Sequence, residues 1–505
     1  MEGIKWGSRS LKLRAGVVQR ALSYIAEEMG SVLKRSSVSP NIRERLDMSC
    51  ALLDEDGRVL AQAEHIPVHL GSLSWAAPRL VERASELVED EGDVMIVNDP
   101  YLTGTHLNDV TVMTKYKNVW IVNKAHHVDV GGPVPGSLNP NAKTLFEEGI
   151  VIEPALVAKR WRVLKVAEDL AKGVRGPKTF LADLKAQIAA LRTGLQRLRE
   201  LEDRYGDINE YKEDFLEASK RAYSERLAEV SGEGEAEVPL ELPEGLAKIR
   251  VRLKVGEVVE ADFSGSSDQV PYNLNAVEGI AYAAVAFFVK AMTVPEGPVD
   301  HGLYSLIKVK TREGSLLNPR FPAAVGAGNL ETSQRALEAV VLAAQGFSHA
   351  PSGGPGTMSN LILSWGNKVY YETNAGGGSA TKDSDGQNAV QWGMTNTMNT
   401  PIEIIEREAP VLFTRYSVRR GSGGAGTHKG GDGVVREFIA LDDLKVTVIM
   451  SRYLTKSPGA KGGSDGEPGA VLVDGEPVEG YFSGELKKGS RLTLMTPGAG
   501  GWGRA

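Results

Sequence analysis

The stretch between Asn98 and Gly149 constrains this chain more than any other. It carries two polar clusters on what reads as β structure. The first, His106-x-x-Asp109, sits in a turn rich in glycine and threonine. The second, His126-His127-x-Asp129, closes an apolar run that begins at Val119, and the carboxylates Glu147 and Glu148 follow. Five of the chain's eight histidines fall between His65 and His127. Imidazole mixed with carboxylate is a donor set that suits zinc, manganese or iron rather than calcium alone. The same residues are also those of hydrogen-bonded polar turns, since none of the short metal motifs with fixed spacing is present.

At 505 residues the chain exceeds one ordinary core, which implies about two to four domains. Hydrophobic content of 42% beside 24% charged residues is that of a soluble globular protein. A net charge of −7 argues against a nucleic-acid-binding surface, which needs a basic stripe. Cys50 is the sole cysteine, so no internal disulfide can form, and its apolar surroundings (MSCALLD) mark a buried, inert thiol. The opening MEGIKWGSRSLKLRAG lacks the apolar core of a signal peptide. No run reaches the roughly eighteen apolar residues that span a membrane, and a cytoplasmic location follows by elimination. Glycine concentrates after Gly326. Yet no phosphate loop appears, nor a dinucleotide fingerprint between a strand and a helix. If ATP takes part in the chemistry, another chain binds it.

Helical spacing of Val17, Ala21, Ile25, Met29 and Leu33 predicts a helix over 11–34. A hairpin is expected from a strand over 48–53, a turn at 54–57 and a return over 58–63. A loop carrying His65 and His69 follows, because Pro67 argues against a helix there, and a helix over 73–87 comes next. A strand over 94–97 delivers Asp99 to the central stretch. Residues 179–205 and 208–228 predict two helices, and 231–239 (SGEGEAEVP) reads as a linker or exposed loop. Beyond 240 the pattern is a β-hairpin around Gly256, helices over 276–292 and 333–345, then short strands and glycine turns. The fold class is α+β: multidomain, with mixed β-sheets, a helical middle and a β-rich, glycine-rich C-terminal half. The expected divisions are an N-terminal α+β metal-site domain (1–155), a helical segment (156–235) and a β-rich region (236–505) that completes the active site.

Several long segments fall in one order: SPNIRERLDMSCALLDEDGRVLAQAEHIPVHLGS (39–72), NDPYLTGTHLNDVTV (98–112), KAHHVDVGGPVPGS (124–137), FPAAVGAGNLETSQR (321–335), MTNTMNTPIE (394–403) and GGDGVVREF (430–438). In these the chain resembles the hydantoinase B/oxoprolinase family, which includes a subunit of acetone and acetophenone carboxylases. The resemblance implies a partner, an A subunit of the actin-like ATPase type, in a hetero-oligomer with a homodimeric core. The A subunit would phosphorylate a substrate carbonyl with ATP. This chain, as B subunit, would handle the activated species at a divalent metal, zinc or manganese. The implied reaction is opening of a small cyclic amide, 5-oxoproline or (N-methyl)hydantoin. The alternatives are a subunit of an ATP-dependent ketone carboxylase and a non-catalytic scaffold for the A subunit. A scaffold has no need of the dense histidine–aspartate clusters, and the length matches the compact amidase type.

Carried onto this sequence, the family's metal ligands fall on His106, Asp109 and one of His126 and His127. Residues i and i+3 in a turn can converge on one ion, whereas neighbours in a strand point to opposite faces, so only one of the two histidines would be a ligand. The other would orient substrate or support a ligand from behind. Glu44, in the NIRER segment, is the candidate fourth ligand. Asp99, Asp129, Glu147 and Glu148 are the candidate proton carriers. His65 and His69 would line the pocket. Asn329 to Arg335 open a helix that could take an anion or be capped by Thr332 or Ser333.

Overall fold

A computed structural model of the chain describes residues 8–63 and 65–505, and the expectation for the opening sixteen residues falls in part outside that range. The chain is α+β, with helices and four separate sheets among the described residues. No helix among the described residues is long and apolar enough to cross a membrane.

The opening helix, Ser8–Ser36, buries Val18, Leu22, Ile25, Met29 and Leu33 on one face. That face packs on strand Met48–Leu53 and on the long middle helix Pro177–Tyr205. The first sheet has seven strands, in the order Val59–Gln62, Met48–Leu53, Val119–His126, Asp109–Tyr116, Val94–Val97, Ala155–Lys159 and Arg162–Val163. Each strand pairs antiparallel with its neighbours. Every residue of Val119–His126 is buried, because the middle helix lies across this strand and its neighbour. The opposite face is covered as well, where Lys124 donates to the Thr103 carbonyl and the Thr105 hydroxyl, and coverage of both faces is why the segment reads as a largely continuous apolar run instead of an alternating one.

Two local expectations fail. Pro67 begins a helix rather than preventing one. The helix Pro67–Ser85 starts on it, since the first turn of a helix leaves its N–H groups unpaired and proline lacks only that group. His69 therefore lies in a helical first turn, not a loop. Residues 231–239 are not a linker either. Gly232–Glu241 is the edge strand of a four-stranded sheet completed by Leu246–Val255, Val259–Asp262 and Ile307–Lys310. Glu233, Glu235 and Glu237 face outward and pair with the next strand, with Lys254, Arg250 and Lys248 respectively. Its glycines face the end of helix Thr332–Ala344 and Phe347 just beyond it. A Cβ on Gly234 would lie 2.1 Å from the carbonyl oxygen of Ala343, so only glycine admits that approach. Pro239 is tolerated because the strand has a free edge.

The C-terminal half holds two antiparallel sheets. One orders Lys368–Thr373, Asn360–Trp365, Leu444–Ile449 and Tyr481–Leu486; the other orders Val411–Val418, Val434–Ala440, Arg491–Met495, Ala470–Val473 and Glu476–Val478. They share an apolar cluster that includes Leu363, Ile405, Phe438, Val446, Val448 and Leu492. A larger cluster runs from the opening helix through the seven-stranded sheet, the middle helices and helix Thr332–Ala344, and so crosses residues 155 and 235 without a break.

Candidate metal centre

The strand register assembles the site. Asp109 opens one strand, His126 ends the next, and the two face each other across the ladder. Met48 pairs with Ala125 on the other side of that strand, so Asp47, one residue earlier, lies beside His126 and accepts its backbone N–H at 3.0 Å. His106 reaches in from the turn before Asp109. His69 comes from the first turn of the helix begun by Pro67, and Asn329 from the segment ahead of helix Thr332–Ala344.

Asp109 is held by one oxygen only. Its Oδ2 lies 3.0 Å from His69 Nε2 and accepts from the Asn329 amide at 3.0 Å. Its Oδ1 is buried with no hydrogen-bond partner, 3.3 Å from His106 Nε2 and 3.7 Å from His126 Nδ1. His106 donates from Nδ1 to the carbonyl of Gly326 at 2.9 Å, which leaves Nε2 bare in the neutral ring. That bare nitrogen is 3.2 Å from His126 Nδ1, which is in turn 3.6 Å from Asp47 Oδ2. The ring of His126 stacks on Tyr371, with centroids 4.9 Å apart and planes 7° from parallel. Two imidazole nitrogens and two carboxylate oxygens thus converge in a buried space of about 20 Å³, enough for one ion or one water. An orphaned carboxylate oxygen in a buried site is costly unless a cation meets it. His106, Asp109 and His126 form one converging set of donors and Asp47, His69 and Asp109 a second that shares Asp109, and this mixture of imidazole nitrogen and carboxylate oxygen fits a zinc- or manganese-type ion.

Electrostatics without an ion show the same strain. Burial opposes charge on Asp109, but His106 and His69 outweigh it and hold the carboxyl well below the usual range. Burial likewise disfavours the His106 imidazolium, and Asp109 beside it reverses the balance, raising that group. Asp47 is pushed up by burial, against the pull of Arg45. His126 is driven well down by burial and by His106. A cation at the centre would keep both carboxyls ionised and both imidazoles neutral.

The other candidates lie elsewhere. His127 faces the opposite side of the sheet, where its Nε2 donates to Gln187 Oε1 at 2.9 Å and its ring packs on Phe180. Glu44 pairs with its neighbour Arg43 at 2.8 Å and is not among the converging groups. Asp129 closes its own loop, accepting from the backbone of Gly131, Gly136 and Arg175 and from the Arg175 guanidinium. Asp99 caps the turn Pro100–Thr103 by accepting from the Tyr101 N–H. Glu147 is exposed and accepts from Lys143 and Thr144. Glu148, pushed up to about 8 by burial, accepts from the N–H groups of Val325 and Gly326. It anchors the segment whose carbonyl orients His106, so it acts on the cluster from behind. The helix opening at 332 is not open to an anion: Arg335 is enclosed with Glu241 and Glu338, and Thr332 and Ser333 donate to the carbonyls of Leu274 and Asn329.

The sequence does not single out Asp47; His69 is expected only to line the pocket, which it does, and Asn329 only to open a helix. The signal for His69 was present, since a proline two residues before it marks a helix start as readily as a break. Asp47 carries no local signal, and nothing local ties Asn329 to Asp109.

Residues 12–505 match the family model described as Hydantoinase B/oxoprolinase. An uncharacterized protein of Methanocaldococcus jannaschii is 38% identical over 97% of this chain and 90% of its own length. A 5-oxoprolinase of Dictyostelium discoideum is 36% identical over 95% of this chain, which spans only 39% of that protein. The crystal structure of an ATP-dependent caprolactamase from Pseudomonas jessenii superposes with a TM-score of 0.88 at 28% identity, covering 97% of this chain and 91% of that one.

Proposed function

This chain belongs to the hydantoinase B/oxoprolinase family, and from that premise we propose that it is the metal-bearing B subunit of an ATP-dependent cyclic amidase. Its substrate is 5-oxoproline or a hydantoin whose ring carbonyl an ATPase-type A subunit has phosphorylated, the two subunits forming a hetero-oligomer. One observation carries the reading. Asp109 Oδ1, bare and buried, sits among His106 Nε2, His126 Nδ1 and the carboxylate of Asp47.

In this reading His106, Asp109 and His126 would hold the ion, zinc or manganese, with the Asp47 carboxylate beside His126. When bound, it supplies a Lewis acid for an oxygen of the substrate and for water. The chain's own groups prepare the site. His69 and Asn329 clamp Asp109 by Oδ2 and so aim Oδ1 inward. The Gly326 carbonyl fixes the His106 tautomer, and Tyr371 holds the plane of His126. From the phosphorylated ring, one water adds its hydroxyl to the carbonyl carbon and its protons end on the ring nitrogen as the C–N bond breaks, and a second water releases the phosphoryl group as inorganic phosphate, leaving a free carboxylate and amine. His69 lies on the path for those protons, with Nε2 on Asp109 and Nδ1 3.0 Å from the Ser49 hydroxyl.

Co-expression with the A subunit tests the reading, with ATP-dependent release of glutamate from 5-oxoproline measured beside the opening of hydantoins. His106→Ala and Asp109→Ala are expected to lose both bound metal and coupled ring opening. Full metal content and full turnover in either variant would remove the assignment, and carbon-dioxide-dependent turnover of a ketone would move the chain to the carboxylase branch.

A further inference from the structure

Two sequence segments, 39–72 and 394–403, meet at one side chain, Arg45. It is fully buried. Its guanidinium donates to the Asn41 amide oxygen, to the Tyr371 carbonyl at 3.0 Å, and to the hydroxyls of Thr373 and Thr397 at 3.1 and 3.3 Å. Its own carbonyl accepts from the Met398 N–H at 3.1 Å. Every one of these side-chain bonds ends on a neutral oxygen. Burying a guanidinium that no carboxylate grips directly is costly, so its place has to be explained by what it holds.

What it holds is His126, from two sides. Asn41, fixed by its amide oxygen, donates from Nδ2 to the His126 carbonyl at 2.8 Å. Tyr371, whose carbonyl Arg45 grips, has its ring centroid 4.7 Å from the guanidinium carbon, and the same ring stacks on the His126 imidazole. The backbone and the ring plane of His126 are thereby tied to one cation. The far end of Tyr371 is fixed as well, its hydroxyl donating to Asn360 Oδ1 at 3.0 Å. The turn between Arg45 and Asp47 shows the same constraint. Leu46 has a φ of 60°, in the left-handed region that a leucine holds only where its surroundings impose it. Here the bonds of Arg45 act on one side and the pairing of Met48–Leu53 with Val119–His126 on the other.

Resting on the reading of the metal centre, we propose that Arg45 is a positioning residue for it: the guanidinium sets the His126 imidazole against Tyr371, so that Nδ1 faces Asp109 Oδ1 and His106 Nε2 before any ion arrives. Thr373 and Thr397 complete the seat of the guanidinium, which acts through Asn41 and Tyr371 and touches no reacting atom. In the NIRER segment the working residue is Arg45 and not its neighbour Glu44.

Nuclear magnetic resonance of the full, metal-free chain labelled at histidine tests this without turnover. Stacking on Tyr371 shields the His126 ring protons, so their resonances, identified by their loss in His126→Gln, are expected upfield of those of an unstacked histidine. Arg45→Ala should move them downfield, and millimolar guanidinium ion, filling the vacated seat, should return them. Zinc affinity in a chelator competition should fall by about ten- to a hundredfold in Arg45→Ala and recover with guanidinium, a recovery that a merely loosened fold would not show. Arg45→Lys keeps the charge but not the planar fork; it decides the matter should Arg45→Ala not fold, and is expected to show the same downfield move. Resonances left in place by either folded variant, or a change in Arg45→Ala that guanidinium does not reverse, overturn the proposal. Metal content is read separately. A wild-type chain that shows the shielding but takes up no zinc or manganese overturns the metal reading alone.

Discussion

Asp109 divides its two oxygens, one tied to His69 and Asn329 and the other left bare. Removing the clamp should loosen the ligand without unfolding the chain, because groups that orient a ligand commonly contribute ten- to a hundredfold in affinity. Asn329→Ala is therefore expected to weaken zinc or manganese binding by about ten- to a hundredfold in a chelator competition, with the fold retained by circular dichroism. Unchanged affinity would show that the Asn329 amide does nothing for the site. At this scale the sequence was half legible. His106, Asp109 and His126 stand out as donor types in close spacing, while Asp47 is one aspartate among many until strand pairing sets it beside His126.

At the scale of the element, periodicity was a good guide where a segment met one environment along its length. The strands 48–53 and 94–97 and the helix over 179–205 fall where they were expected, within two residues. It misled where a breaker residue had a positional use. Pro67 starts a helix, and the glycines of 232–241 are the contact face of a strand instead of a linker's joints. Gly234→Val should drive a side chain into the Ala343 carbonyl and cost about 2 kcal/mol or more in urea unfolding. Glu235→Ala, on the outer face of the same strand, removes a solvent-exposed pair with Arg250 and should cost less than about 1 kcal/mol. Equal losses from the two substitutions would mean that the strand does not pack as described.

Across the whole molecule, buried polar groups tie distant segments together. Asp300 accepts from Gln19 of the opening helix and from Ser219 of helix Lys212–Glu229, and it caps the turn that follows it. Burial pushes its carboxyl up to about 7. The folded chain then keeps a proton that the unfolded chain has released, so this group's contribution is full at low pH and is lost as pH rises from about 4 to about 7. Asp300→Asn should flatten that slope, removing about 2–3 kcal/mol of the difference in unfolding free energy between about pH 5 and pH 7.5. A variant with the wild-type slope would show that Asp300 is ionised in the folded state throughout.

The sequence by itself determined the chemistry on offer, imidazoles and carboxylates crowded into one region, and most of the local elements, because donor type and hydrophobic period are properties of short stretches. Only the tertiary structure decided which of those groups meet. Asp47, His69, Asp109 and Asn329 are brought together by strand register and helix docking across hundreds of residues. The same packing turns His127, Asp129 and Glu44 away, to tasks that hold their own segments in place. Convergence on one point depends on contacts far apart in the chain, and no local pattern encodes them.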